Sequence, residues 1–325
     1  MIHQIAYKLR EQIHHFSGEL SQDLCKPARR FVEEMIFGNQ ARGSVRLSEV
    51  GRSLEEPTSL KKIVDRLSRN LAREELREAI SEGVLQKGSK RIKDDTLLIV
   101  DTSDLIKKYA KKMENLAEVR DGSEKRIGNG YWTCQVVGAE CGEPEIVPLY
   151  HVLYSQEASD FVSENDELRK AIQEVSRAVG NHGIFLMDRA GDRDAIYKHV
   201  VPQELGIRFI IRQRGDRHLL YRGKNVETLQ LARQCKTPYA EVVLKEEKSK
   251  ERRYFIEYGF LPVRLKEYPE VELWLVVVKG FGEKPLMLLT NLKMRKKRTV
   301  LLWVVEAYIT RWRVEETIRF IKQSY

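Results

Sequence analysis

The chain has 325 residues, 42% of them hydrophobic and 32% charged, which is typical of a soluble globular protein with two or three structural units. Its N-terminus shows no signal-peptide pattern and no apolar run is long enough to span a membrane, so we predict a cytoplasmic protein. Its four cysteines show neither a CxxC pair nor zinc-finger spacing, so we predict reduced thiols that act as small core residues. The formal charge of +9 favours a polyanionic partner, because nine Lys or Arg against three Glu lie from Asn291 onward and supply 9 − 3 = +6 of the excess.

Residues 1–93 are predicted to be helical and of mixed charge. Apolar positions at helical spacing predict a short helix over 44–54, a turn at 55–58, and one basic amphipathic helix over 59–80. This order is compatible with a helix-turn-helix-like DNA-binding region. A plain helical bundle with solvated charges fits equally well, since residues 1–95 hold eighteen basic and fifteen acidic residues.

The first candidate site residue follows a short apolar run. Leu97–Val100 reads as a buried strand, and Asp101 comes directly after it. The carboxyl end of a buried strand is a usual position for a metal ligand on an α/β sheet. The alternative is that Asp101 only caps a turn at Thr102 and Ser103.

The same pattern returns further along the chain. Residues 131–154 predict two strands around a turn at 142–144, and Glu164–Val179 predicts an amphipathic helix. The apolar run Ile184–Met187 is then followed at once by Asp188. For Asp192, a few residues on, we favour capping of the following helix over a metal role.

Residues from about 213 to 290 predict a mainly β segment, punctuated by glycines. Its expected strands include Val242–Leu244, Arg253–Tyr258, Leu261–Leu265, Glu272–Lys279 and Leu286–Thr290. Trp274 is expected to pack within this β segment.

The last segment, 299–325, holds no Gly or Pro and predicts a long helix. At about 100° per residue, Tyr308, Arg311, Glu315 and Lys322 share one face of it, and apolar side chains cover the remaining faces. Such a helix is usually buried, so its charges need partners. These partners are either one another, in an internal ion-pair ladder, or a metal ion and a phosphate chain. The basic run 293–298 before the helix is either a solvated loop or a contact to DNA phosphates.

The spacing Tyr308-x2-Arg311-x3-Glu315-x6-Lys322 resembles the signature of the insertion-sequence-four family of DDE transposases. The resemblance implies that Glu315 is the third catalytic carboxylate, and that Asp101 and Asp188 are the first two. It further implies an α/β fold with a ribonuclease-H-like mixed-sheet core at 94–325 and a β-rich insertion at about 213–290. The residue pattern adds the N-terminal α-helical domain at 1–93, where the resemblance is weaker.

The chemistry that the resemblance implies is metal-dependent cleavage at transposon ends, followed by 3′-OH strand transfer into target DNA. Asp101, Asp188 and Glu315 would hold two Mg²⁺ ions, with Mn²⁺ as a possible substitute, because carboxylate oxygens suit these ions better than zinc. The expected DNA partners are the transposon-end and target duplexes. A second copy of the chain would complete a homodimeric synaptic complex on the bacterial nucleoid, and no membrane partner is expected. DNA would be held by Tyr308, Arg311, Lys322, Arg189, Lys296, Lys297 and Arg298.

A rival interpretation follows from the position of the last residue. The sequence stops three residues after Lys322, inside an apparently continuing helix, whereas family members go on through more helical sequence. A truncated or catalytically silent transposase-derived DNA-binding protein is therefore the alternative. Another metal-dependent nuclease on the same fold is a third option, against which the Tyr-Arg-Glu-Lys spacing argues.

Overall fold

The structure, a computed structural model, describes residues 2–122, 126–143, 145–202, 206–247, 250–294 and 297–324. Within these ranges the side chains of 2–6, 245–247, 250–251, 297 and 313–324 lie outside the description. The chain divides into two compact units. One comprises Met1–Lys87 and Thr317–Tyr325, and the other comprises Gly88–Glu316.

The first unit is built from helices. They are α1 (Ile2–Leu20), α2 (Lys26–Arg42), α3 (Leu47–Ser53), α4 (Leu60–Leu71) and α5 (Glu74–Ser89). An apolar cluster joins α2 to α5, so each of these helices buries one face in a shared core. Its buried members are Leu24, Ala28, Phe31, Val32, Val50, Ile63, Leu67 and Leu76.

The single basic helix predicted over 59–80 is wrong, because the chain breaks after Leu71. Leu71 is 52% exposed, so the helix at this point has turned its apolar side chain away from the core. The new helix that begins at Glu74 brings Leu76 back into the apolar cluster. Burial of Leu76 therefore overrides the local helix propensity of the connecting residues.

The second unit is organised around one large mixed sheet. In spatial order its main path is β2-β3-β1-β5-β6-β12-β11-β10-β7-β8, with β4 paired to β3 and β9 paired to β10. The strands are β1 (Leu97–Ile106), β2 (Ala117–Arg120), β3 (Ile127–Ala139), β4 (Ile146–Tyr154), β5 (Ile184–Met187), β6 (Phe209–Arg212), β7 (His218–Tyr221), β8 (Lys224–Glu227), β9 (Tyr239–Glu247), β10 (Lys250–Leu265), β11 (Tyr268–Lys279) and β12 (Leu286–Thr290).

Five of these strands form a ribonuclease-H-like core. Strands β4, β3 and β1 are antiparallel neighbours, and β5 and β6 then continue the sheet in parallel from β1. Residues Leu97–Val100 of β1 and the whole of β5 are apolar runs with almost no exposed surface, as expected for strands covered on both faces. The predicted fold class is therefore confirmed, with an α/β mixed sheet and a separate run of helices before it.

The β-rich insertion extends the core sheet without interruption. Strand β12 pairs with β6 on one side and with β11 on the other, and β10 follows β11. The two separate strands predicted at 253–258 and 261–265 are wrong, since β10 is one strand that runs through Gly259 between them. A Cβ atom at Gly259 would lie 2.1 Å from the carbonyl oxygen of Lys236, so glycine is required here for a close backbone approach and does not end a strand.

Three helices of the second unit are α6 (Glu164–Val179), α7 (Asp194–Val200) and α8 (Thr228–Gln234). A further helix, α9 (Lys297–Ser324), belongs to the second unit up to Glu316. The long helix predicted from the final segment is thus confirmed through Ser324. Its buried part includes Leu301, Val304, Val305, Ala307, Tyr308, Ile309, Thr310 and Arg311. Among the residues that the structure describes, no helix has the length and apolar character needed to cross a membrane.

Candidate active site

Matching positions on three neighbouring parallel strands place polar side chains next to one another. Val100 of β1 pairs with Met187 of β5, and Met187 pairs with Ile211 of β6. The next residue on each strand is Asp101, Asp188 and Arg212, respectively. Neighbouring strands lie about 4.8 Å apart and their pleats are in phase, so the two carboxylates and the guanidinium leave the sheet at one level.

Asp101 does not cap a turn, and that alternative is excluded. Strand β1 continues to Ile106, so Thr102 and Ser103 are strand residues. Asp101 itself pairs with Gln135 of β3, which is 6% exposed. Its carboxylate therefore stands within the sheet, on the same face as Gln135.

Helix α9 delivers a positive charge to Asp101. The Arg311 Nη1 atom lies 3.4 Å from the Asp101 Oδ1 atom, and the two side chains are 5% and 16% exposed. The partner of Arg311 is therefore a carboxylate of the sheet, which differs from both predicted sets of partners, the internal ion-pair ladder and the metal ion with a phosphate chain. The turn of α9 that carries Arg311 faces Asp101 in β1, and position 315 lies about one helical turn further along the helix.

Tyr308 forms the centre of a cationic and aromatic cluster. The side chain is fully buried, and its hydroxyl accepts a hydrogen bond from Arg212 Nη1 at 3.2 Å. The guanidinium groups of Arg212 and Arg311 lie 5.8 and 5.5 Å from its ring centroid, distances at which cation–π attraction operates. The ring of Trp312 packs edge-on against it at 5.5 Å. Tyr308 therefore exposes no surface to a DNA phosphate in this structure, and its contacts run through Arg212 and Arg311.

Asp188 is held by the turn that follows it. Its Oδ1 atom accepts a hydrogen bond from the backbone N–H of Ala190 at 2.7 Å, at the start of a 3₁₀ turn over Arg189–Gly191. The Asp188 backbone is extended, with φ −78° and ψ −162°, so it prolongs the direction of β5. The Arg189 side chain is exposed.

Asp192 does not cap the following helix, and our prediction for it is wrong. Helix α7 has Arg193 at its N-cap position, with no side-chain capping bond. The Asp192 carboxylate instead accepts hydrogen bonds from Arg217 Nε at 2.5 Å and from the backbone N–H of Arg214 at 2.8 Å. A partner more than twenty residues away in sequence leaves no local signal, which is why the capping interpretation failed.

The environment of the buried Cys134 thiol disfavours its thiolate. Burial raises the pKa of the Cys134 thiol to about 12, and the negative charges of Glu167, Asp101 and Glu164 add to the shift. Cys134 and Cys235 are buried, as predicted for small core residues, whereas Cys25 is exposed and departs from that prediction.

Several predicted site residues lie outside the described part. The backbones of Glu315 and Lys322 belong to α9, but nothing is described of their side chains, nor of the Lys297 side chain, and Lys296 is not described at all. Arg298 is described; its side chain is 67% exposed and lies 3.8 Å from Glu241.

The paired carboxylates suit a hard divalent cation. Asp101 and Asp188 supply oxygen donors only, which Mg²⁺ and Mn²⁺ prefer, and each directly follows four buried apolar strand residues. Among the described side chains, no three His, Cys, Asp or Glu residues cluster in a way that could hold a metal. The side chain of Glu315, the third predicted ligand, lies outside the described residues.

Sequence reasoning overlooked Arg212. It directly follows the apolar residues Phe209–Ile211, which is the same pattern that precedes Asp101 and Asp188. Because Arg212 is basic and a metal ligand must be acidic here, this pattern did not mark it as a candidate. Trp274 behaves as predicted. It is half-buried in the insertion, where its ring packs edge-on against Phe260 at 5.3 Å.

The fold and site together are a ribonuclease-H-like mixed sheet with two carboxylates on adjacent parallel strands. Residues 148–325, more than half of the chain, match the family described as Transposase DDE domain. The chain belongs to this family. The matched segment contains Asp188 and Glu315, whereas Asp101 precedes it.

Other comparisons add little to the family match. A piggyBac transposase, solved by cryo-EM in a synaptic complex with hairpin DNA, is similar at a TM-score of 0.49 and 12% sequence identity. The alignment covers 95% of this chain and 58% of that chain, so the present chain spans little more than half the length of that transposase. No curated protein matches the sequence.

Proposed function

We propose that this chain is a transposase of the insertion-sequence-four type, which cleaves DNA at transposon ends and joins the freed 3′-OH to target DNA. The observation that carries the proposal is the register of β1 and β5, which sets Asp101, in the interior of β1, beside Asp188, which directly follows β5. The Tyr-Arg-Glu-Lys spacing on α9 supports the finer assignment within the DDE transposases.

Asp101, Asp188 and Glu315 would together hold two Mg²⁺ ions. Support for the third ligand comes from Arg311, which reaches Asp101 from the helical turn that precedes Glu315. When bound, two such ions activate the attacking oxygen and stabilise the leaving 3′ oxygen of an in-line displacement at phosphorus. In the first step, a water oxygen bonds to phosphorus as the P–O3′ bond breaks. In the second, the freed 3′-OH attacks a target phosphodiester and displaces its 3′ oxygen in the same way.

Basic residues around the carboxylates would hold the DNA backbone. Arg212 and Arg311 share the buried Tyr308 ring, so Tyr308 orients two guanidinium groups and need not touch phosphate itself. A guanidinium suits this task because its planar fork can bind a phosphate with two hydrogen bonds. Exposed Arg189 and Arg298 would extend the contact along the strand, together with Lys296, Lys297 and Lys322.

The N-terminal helices would bind duplex DNA, with residues 1–93 as the DNA-binding region and 94–325 as the catalytic region. Support comes from α3 and α4, which follow one another across a six-residue connection and pack through Val50, Ile63 and Leu67. Such a pair is compatible with a helix-turn-helix-like arrangement in which α4 enters the major groove. Two copies would hold two transposon ends in a synaptic complex on the nucleoid.

Nicking of DNA tests the proposal. The substrate is a duplex that carries the sequence flanking the gene for this chain, incubated with Mg²⁺ or Mn²⁺. Asp101→Asn, Asp188→Asn and Glu315→Gln should each slow cleavage by about three orders of magnitude, which corresponds to about 4 kcal/mol of lost transition-state stabilisation. Asp160→Asn, at an exposed carboxylate, is the matched control and should cleave normally.

The outcomes separate a transposase from a DNA-binding protein. Binding of the duplex without any cut in either metal would contradict the proposal, and so would full activity of the Asp188→Asn protein.

Strand transfer has a separate readout. A precleaved duplex with a 3′-OH end should join a supercoiled plasmid, and the same duplex with a 3′-deoxy end should not.

A further inference from the structure

A buried ion pair joins the turn after β5 to the loop after β6. The Asp192 side chain is 1% exposed and the Arg217 side chain 15% exposed, and their Oδ1 and Nε atoms lie 2.5 Å apart. The other Asp192 oxygen accepts the backbone N–H of Arg214 at 2.8 Å. Both oxygens of this carboxylate are therefore used to tie together two segments that carry Asp188 and Arg212 at their starts.

Further contacts brace the same connection. Arg217 Nη1 also donates to Asp194 Oδ1 at 2.7 Å, and its guanidinium lies 4.7 Å from the centroid of the buried Tyr197 ring. Burial opposes the charged form of Arg217, but the hydrogen bond and charge of Asp192 outweigh it and raise the Arg217 pKa. In addition, Arg214 Nε donates to the carbonyl oxygen of Arg189 at 3.2 Å, inside the turn itself.

The opposite side of the turn rests on β5. A Cβ atom at Gly191 would lie 2.6 Å from the Cβ atom of Met187, so the turn lies directly against the last residue of the strand. Between these two anchors, the backbone N–H of Ala190 donates to Asp188 Oδ1. The orientation of the Asp188 carboxylate thus depends on a turn that is held by Met187 on one side and by Arg217 on the other.

We propose that Asp192 and Arg217 are positioning residues that orient Asp188 for a divalent cation. The inference rests on the proposed function, because it assumes that Asp188 is a metal ligand. A buried ion pair is by itself weak support for stability, whereas partners behind a metal ligand set its direction and typically alter metal affinity by about 10- to 100-fold. Here the ion pair acts on Asp188 through the Arg189–Gly191 turn.

The test is Mn²⁺ binding to the full chain without DNA, followed by electron paramagnetic resonance of the free ion. Asp192→Asn and Arg217→Gln should each weaken binding about tenfold or more. Arg217→Lys keeps the positive charge and should recover part of the affinity. Because the two residues act as one unit, the double variant Asp192→Asn/Arg217→Gln should be no weaker than the weaker single variant.

A second readout needs no metal. Hydrogen exchange at the Ala190 amide should accelerate in Asp192→Asn, because the turn that aims this N–H at Asp188 is released. Arg193→Gln is the matched control; it breaks an ion pair one residue further along, between Arg193 and Glu164 at 2.9 Å, which leads to α6. Its Mn²⁺ affinity and its Ala190 exchange should match those of the unsubstituted chain.

The possible failures are distinct. If the unsubstituted chain binds Mn²⁺ and folded Asp192→Asn and Arg217→Gln bind it equally well, the inference is overturned while the proposed function stands. Equal weakening by Arg193→Gln would overturn the assignment to this particular pair. If the unsubstituted chain does not bind Mn²⁺ at all, the metal-dependent function is overturned and the inference falls with it.

Discussion

Single residues in this molecule owe their properties to neighbours that lie far away in sequence. Cys134 is an instance, because a cysteine in a strand would be read as a small apolar residue and nothing more. Its position on β3 removes it from water, and the negative charges of Glu167, Asp101 and Glu164 oppose formation of its thiolate. Proximity to a proposed catalytic carboxylate thus makes this thiol less reactive.

Thiol labelling should show this difference directly. With its pKa raised to about 12, the Cys134 thiol stays protonated at pH 8.5, where the reactive thiolate is almost absent. Iodoacetamide at this pH should therefore modify exposed Cys25 readily and leave Cys134 intact, as measured by peptide mass spectrometry. Labelling in urea is the control, in which both should react. Equal labelling rates in the native protein would contradict the assignment.

At the scale of elements, charge is distributed unevenly around α4. Arg66 is engaged by Glu34 and Glu56, at 3.0 and 2.8 Å, so this basic residue is tied into the helical bundle. Lys61 and Lys62 are exposed in the first turn of the helix. The same basic helix therefore contains one arginine that serves the fold and two lysines that face solvent, a division that no helical projection of the sequence reveals.

These lysines should contribute to the salt dependence of DNA binding if α4 faces the duplex as proposed. Each contact between a lysine and a phosphate adds about one unit to the slope of log affinity against log salt concentration. Lys61→Ala/Lys62→Ala should therefore reduce the slope by about 2, measured by fluorescence anisotropy with a labelled duplex.

The control for this measurement removes the same charge elsewhere in the same unit. Lys8→Ala/Arg10→Ala changes two exposed basic residues on α1 and should leave the slope unchanged. An identical reduction in both double variants would indicate a general charge effect and would count against α4 as the DNA-facing helix.

For the second unit as a whole, the continuous sheet decides how the parts depend on one another. Strand β12 is the only strand on the main path of the described sheet between core strand β6 and insertion strand β11. Leu288 lies in the middle of it with no exposed surface, between Arg212 of β6 and Val276 of β11. The insertion is therefore part of the same packed layer as the candidate active site.

Leu288→Ala should destabilise the core and the insertion together, by about 2–5 kcal/mol, the usual cost of truncating a fully buried leucine. Hydrogen exchange measured in denaturant should show β1 and β10 losing protection in the same transition. Leu153→Ala on β4, where the side chain is 43% exposed, is the control and should cost far less. Loss of protection in β10 at clearly lower denaturant than in β1 would show instead that the insertion unfolds separately.

Local sequence pattern determined much of this protein. Apolar runs ended by Asp101 and Asp188 identified the strands that carry them, and the long segment without Gly or Pro identified α9, because these signals depend on neighbours within a few residues. Boundaries failed where packing overrode propensity, at the break after Leu71 and at Gly259 inside β10.

Only the tertiary structure decided which side chains meet. The register of β1, β5 and β6 brings Asp101, Asp188 and Arg212 to neighbouring positions on the sheet. Arg311 pairs with Asp101, and Asp192 pairs with Arg217. Each of these polar groups has little contact with water and must be matched by a partner of opposite charge or complementary hydrogen bonding. That partner comes from an element that packs alongside in the folded chain and is distant in sequence. The local sequence around each residue therefore does not predict its partner.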